Sequence, residues 1–110
     1  MSNEETPIAL LDLEVEAGPT TTISLAGDLD PATAPQLDAA IKDAIATDGL
    51  ERVVLDLSKL TFIDSSGLRV FVTARQALTA LDIELTLRSP SVTARRLLDI
   101  TGLGEILSVE

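Results

Sequence analysis

The sequence predicts an α/β sandwich, helices packed mainly on one face of a mixed sheet of four to five strands, and three observations carry that prediction. Stretches rich in β-branched and aliphatic residues alternate with stretches whose apolar residues recur at three and four positions, in the order ββαβαβα. A short turn, Ala17-Gly18-Pro19, joins the first two strands and implies an antiparallel pair, while the later strands alternate with helices. No repeat or low-complexity linker interrupts the order, and 110 residues suit a single domain.

The elements follow in turn. Met1–Pro7 is polar and reads as a frayed terminus, leaving residues 8–110 for the domain. Ile8 to Val15 reads as a strand with imperfect alternation, and Thr20 to Ala26 as a second, rich in threonine and isoleucine. Gly27-Asp28-Leu29-Asp30-Pro31 is expected to break that strand. A helix then begins near Thr33, with Leu37, Ile41, Ala44 and Ile45 as its apolar stripe and Gly49 as its stop. Asp38 and Lys42 stand four apart on its outer side, where they can pair.

The third strand is expected over Arg52 to Leu57, with Val53, Leu55 and Leu57 on one face; Leu60, Phe62 and Ile63 continue its apolar character. The second helix reads from about Ser66 to Ala80, with Leu68, Phe71, Val72, Leu78 and Leu81 inward and Arg69, Thr73 and Gln76 opposite. Ile83 to Leu87 supplies a fourth strand. Ser89-Pro90 opens a third helix with proline at its first position; Ala94, Leu97 and Leu98 face inward and Gly102 ends it. Leu103 to Val109 adds a short helix or strand.

Composition removes several function classes. The chain has no cysteine, hence no disulfide framework and no thiolate metal site, which fits a reducing compartment. It has no histidine, so imidazole acid–base chemistry and imidazole metal ligation are impossible. Phe62 and Phe71 are the only aromatic residues and the net charge is −10, which together argue against nucleic-acid binding. Residues 1–50 hold ten acidic and one basic residue, against eight and seven in residues 51–110. That imbalance serves either as solubilising charge or as a docking surface for a basic partner. No leader pattern and no apolar run near the ~20 residues of a membrane helix is present, so the expectation is a soluble, cytoplasmic protein without membrane association.

The most informative segment runs from Val53 to Val72, where a β-rich stretch enters an Asp64-Ser65-Ser66-Gly67 turn and an apolar helical pattern follows at once. A helix opening presents unpaired N–H groups and a positive dipole end, both favourable to anionic oxygen. A serine there either caps the helix or serves as a phosphorylation switch, and the four residues alone favour the cap.

With three segments taken together, the chain resembles the STAS domain family, and within it the bacterial anti-sigma factor antagonists. The segments are Gly27-Asp28-Leu29-Asp30, Val53 to Leu68 with its Asp64-Ser65-Ser66-Gly67-Leu68 centre, and Leu97 to Leu103 with Thr101-Gly102-Leu103. The resemblance implies that Ser65, directly after the aspartate, is phosphorylated by an anti-sigma factor that is also a serine kinase. It implies that unphosphorylated antagonist captures that factor and releases the sigma factor, and that a cognate serine phosphatase resets the switch. The partner-binding residues expected on this basis are Asp28, Asp30, Asp64, Ser65, Ser66, Gly67, Leu68 and Arg69, with no catalytic residue, metal or cofactor.

Arg69 departs from the resemblance, because family members often carry a small residue after the Gly-Leu pair. It lies four positions after Ser65 and three after Ser66, near enough on a helix to meet a phosphate, although the sequence alone favours a solvated helical arginine. Two other readings stand beside the antagonist. One is a STAS regulatory or scaffold module of another pathway, such as a stress complex or a transport accessory. The other is a serine-nucleophile enzyme, which lacks a histidine base, a Gly-x-Ser-x-Gly elbow and a glycine-rich phosphate loop.

Overall fold

The computed structural model describes residues 11–110. The expected frayed start, Met1–Pro7, and the first residues of the expected first strand lie outside the described residues. The elements are β1 (Leu11–Glu16), β2 (Thr20–Leu29), α1 (Ala34–Ile45), β3 (Arg52–Ile63), α2 (Ser65–Thr79), β4 (Glu84–Arg88), α3 (Val92–Thr101), a 3-10 turn at Leu103–Glu105, and β5 (Ser108–Val109). They form one five-stranded sheet in the order β1-β2-β3-β4-β5. β1 and β2 are antiparallel and every later pairing is parallel, so the sheet is mixed as expected.

Strand alternation fixes which side the helices cover. Leu11, Ile23, Leu25, Val53, Leu55, Leu57, Leu85 and Leu87 face one side and join inward residues of all three helices in a single core cluster. Leu37 and Ile41 come from α1, Leu68, Phe71 and Leu78 from α2, and Ala94 and Leu98 from α3. Fully burying one such side chain contributes about 1.5–3 kcal/mol, so this face carries the fold. The intervening residues, among them Asp12, Glu14, Ser24, Asp56 and Arg88, lie on the other, polar face. There Arg52 bonds the Thr86 hydroxyl at 2.9 Å and the Glu110 carboxylate at 2.7 Å.

Two strands run further than their sequence suggests. β2 continues through Gly27 and Asp28 to Leu29, because Gly27 adopts φ 109°, a left-handed conformation that glycine accepts without strain. β3 continues to Ile63. Its pairing with β2 shifts register twice, between Ser24 and Ala26 and between Gly27 and Asp28, and each shift inserts an extra residue into β3. Its core-facing residues consequently run Val53, Leu55, Leu57, Leu60, Ile63, first two and then three apart. The Asp56 carboxylate accepts the Ser58 N–H at 2.9 Å at the first irregularity. That bond is the largest cause holding the Asp56 carboxyl below the usual carboxylate range; burial opposes it, and Arg88 and Lys59 assist it.

Smaller differences concern element ends. α1 stops at Ile45 with Ala46 as its cap, and Gly49, at φ 82°, serves the turn into β3 instead. Lys42 and Asp38 form the expected pair at 2.9 Å. Leu81 lies beyond the end of α2 and is exposed, and Val72 is only half-buried. Pro90 precedes the third helix, whose cap is Ser91. The reason is local: β4 pairs with β3 only as far as Asp56, and Ser91 takes over the vacated edge. Its N–H donates to the Leu57 carbonyl at 3.1 Å and its hydroxyl to the Leu60 carbonyl at 2.6 Å.

Candidate functional site

The site forms where the parallel strands β2 and β3 end side by side, the edge at which open α/β sheets present their ligands. Each strand delivers a loop that opens a helix. The Asp30 loop leads to α1, and the Asp64 turn leads to α2.

The first loop is locked by its own polar groups. The Asp30 carboxylate accepts the N–H groups of Ala32 at 2.9 Å and Thr33 at 3.1 Å. The Thr33 side chain, 3% exposed, donates its hydroxyl to the Asp28 carbonyl at 2.8 Å and accepts the Asp30 N–H at 3.0 Å. Asp28 lies beside Phe62 in the ladder, and its carboxylate accepts the Thr61 hydroxyl at 3.2 Å. Asp30 therefore holds the loop's shape while also contributing charge.

The second turn is capped by its aspartate. Asp64 is extended, with φ −124° and ψ −169°, and its carboxylate accepts the Ser66 N–H at 2.8 Å. Its own N–H donates to the Leu29 carbonyl at 3.2 Å, joining the start of α2 to the end of β2. Gly67 presses the helix onto that strand: a Cβ there would lie 2.6 Å from Leu29 Cδ2 and 2.9 Å from Ile63 Cγ1.

This geometry separates the two roles open to the serine. Asp64 is the cap, so Ser65 is not needed as one. Ser65 is the first residue of α2, it is exposed, and its hydroxyl makes no hydrogen bond among the described residues. Ser66 is half-buried and lines a groove between α1 and α2 with Pro31, Ala34, Pro35, Asp38, Arg69 and Val70. Arg69 is exposed.

The structure thus brings Asp28, Asp30, Asp64, Ser65, Ser66 and Arg69 to one edge of the domain. Gly67 and Leu68, expected among the contact residues, are buried and pack the helix start from within. Two residues escaped the sequence reading. Phe62 is 46% exposed beside the turn, because the second irregularity of β3 turns it outward from the core direction that its apolar character suggests. Thr33, read only as a helix start, organises the neighbouring loop. A polar residue three positions after an aspartate, just before a helix, was the available signal.

Comparison with known proteins places this geometry. A family model of the STAS domain matches residues 12–110. The chain belongs to the STAS domain family. Among curated relatives, an anti-sigma-B factor antagonist of Listeria monocytogenes is 32% identical over 102 residues, covering 91% of this chain and 89% of its own. Among solved structures, the anti-sigma factor antagonist SpoIIAA in its unphosphorylated form has a TM-score of 0.75 at 29% identity, covering 91% of this chain and 87% of its own. The Bacillus SpoIIAA structure in its phosphorylated form has a TM-score of 0.69 at 29% identity, covering 91% of this chain and 90% of its own. An anti-sigma factor antagonist from Mycobacterium paratuberculosis has a TM-score of 0.80 at 25% identity, covering 99% of this STAS chain and 89% of its own. Proteins of this kind are regulatory rather than catalytic. No described helix of the STAS chain is long and apolar enough to cross a membrane.

Proposed function

We propose that this STAS chain is a cytoplasmic anti-sigma factor antagonist switched by phosphorylation of Ser65. Unmodified, it captures an anti-sigma factor that is also a serine kinase and so frees the sigma factor. The surface that docks is the edge made by the Gly27–Pro31 loop, Phe62 and the first turn of α2. The observation that carries the reading is the division of labour at the turn: Asp64 caps the helix, leaving the Ser65 hydroxyl exposed and, among the described residues, without a partner.

The chemistry follows from that placement. The Ser65 oxygen attacks the γ-phosphorus of an ATP held by the partner. The hydroxyl proton passes to a base of the kinase, and ADP leaves. The antagonist supplies only a positioned hydroxyl, which suits a chain without histidine. Hydrolysis by a serine phosphatase returns the hydroxyl and inorganic phosphate. A phosphoserine carries about −1.5 to −2 charges at pH 7. It would stand among Asp28, Asp30 and Asp64, and a partner that must desolvate this edge meets bulk and added negative charge.

The test is incubation with ATP and each candidate kinase of the same genome, with the phosphate mapped by mass spectrometry. Phosphate on Ser65, absent from Ser65→Ala, is expected. Because Asp64 provides the cap, Ser65→Ala should remain as stable as the wild-type protein. Modification of Ser66 instead would overturn the assignment.

A further inference from the structure

Arg69 is a charged residue of the serine edge that the switch described above leaves unused. It lies four positions after Ser65 on α2, so the two Cβ atoms stand about 5–6 Å apart on one face of the helix. It also shares with Ser66 the wall of the groove whose apolar lining is Pro31, Ala34, Pro35 and Val70. Among the described residues its guanidinium forms no ion pair. The nearby carboxylates are engaged elsewhere: Asp64 with the Ser66 N–H, Asp30 with its own loop, and Asp38 with Lys42. Among the described residues, an unpaired arginine thus sits one helical turn from an unpaired hydroxyl, at the mouth of a groove.

We propose that Arg69 is a built-in phosphate clamp, which pairs with phosphorylated Ser65 and pins the phosphate across the mouth of the α1–α2 groove. This rests on the reading of Ser65 as the phosphate acceptor. A guanidinium presents a planar fork of donors that matches phosphate oxygens bidentately. An anion placed N-terminal to a cation at this spacing is the favourable order on a helix. The clamp has two consequences. It holds the second ionisation of the phosphate below its usual value of about 6, so the fully charged form prevails at neutral pH. It also commits the groove's cation to the phosphate, so a partner loses that contact while meeting the new charge. Arg69 is therefore a positioning residue of the switch.

The experiment needs neither kinase nor partner. Phosphoserine is installed at position 65 by genetic encoding, and the phosphate is titrated by phosphorus NMR in four backgrounds: wild type, Arg69→Gln, Arg69→Lys and Arg75→Gln. Arg69→Gln should raise the apparent phosphate pKa by about 0.3 unit or more. Arg69→Lys should retain part of the wild-type value. Arg75, about 15 Å along the helix from Ser65, should be without effect when changed to Gln. The Arg69 effect should shrink in about 1 M salt. Identical titrations of wild type and Arg69→Gln, or an equal shift from Arg75→Gln, would overturn the clamp. Because no anti-sigma factor is present, failure here leaves the antagonist reading intact, and failure of antagonist binding leaves this titration intact.

Discussion

Replacing Gly67 by alanine probes the joint that sets the serine turn on the sheet. The added Cβ would lie 2.6 Å from Cδ2 and 2.7 Å from Cγ of Leu29, and 2.9 Å from Cγ1 of Ile63. Leu29 is fully buried, so it has no free direction in which to yield. Two effects oppose each other. Alanine in a helix is favoured over glycine by about 0.5–1 kcal/mol. Overpacking a filled site costs about 1–3 kcal/mol, and here the clash reaches beyond a terminal methyl to Cγ. The net expectation is a loss of about 1–2 kcal/mol, which in urea lowers the unfolding midpoint by roughly 1 M for a domain of this size. Gly104→Ala is the control, since its nearest neighbour would be 3.7 Å away and its effect should stay within about 0.5 kcal/mol. Adding Leu29→Ala to Gly67→Ala should cost less than the sum of the two changes, because the second makes room for the first. If Gly67→Ala were as stable as the wild-type protein, the close seating of α2 on Leu29 would be refuted, and with it the reason the turn is held in place.

Three further outcomes are expected. Ser91→Ala removes both the bond to the Leu60 carbonyl and the α3 cap, and denaturation should show a loss of about 1–3 kcal/mol. Asp56→Asn should cost about 0.5–1.5 kcal/mol at pH 7 by weakening the bond to the Ser58 N–H. The Asp56 carboxyl is held below its unfolded value, so its contribution is present above about pH 4 and fades as pH falls through the folded value. Stability curves of wild type and Asp56→Asn should accordingly converge in acid. Phe62→Ala should weaken capture of the anti-sigma factor about tenfold by calorimetry, whereas Leu81→Ala, just beyond the far end of α2 and similarly exposed, should not.

The layout was legible in the sequence where periodicity and burial agree. The α1 stripe of Leu37, Ile41 and Ala44 and the α2 stripe of Leu68, Phe71 and Leu78 both face the core. Legibility failed where pairing overrides local pattern. The irregularities of β3 change its inward spacing after Leu57, so alternation stops signalling strand although the ladder continues to Ile63. Gly27 and Asp28 read as a strand break, yet a left-handed glycine lets β2 keep pairing. At the site, sequence left the cap and the free hydroxyl indistinguishable between Asp64 and Ser65; only the hydrogen bond to the Ser66 N–H assigns them. Burial of Gly67 was equally invisible, because a motif marks which residues belong to a turn but not which of them face solvent; for Leu68 the helical period pointed inward although the motif placed it among the contact residues.

The most direct measurement of the central claim compares the affinity of one anti-sigma factor for the unmodified protein and for the same protein phosphorylated on Ser65, by calorimetry at fixed salt. Phosphate at this acidic edge should weaken binding by about 1–3 kcal/mol, or roughly 5- to 150-fold, with Ser65→Ala binding like the unmodified form. Ser65→Glu should fall between them, since a carboxylate carries less charge than phosphate. Equal or tighter binding by the phosphoprotein would contradict the antagonist mechanism and point to a module that reads phosphate.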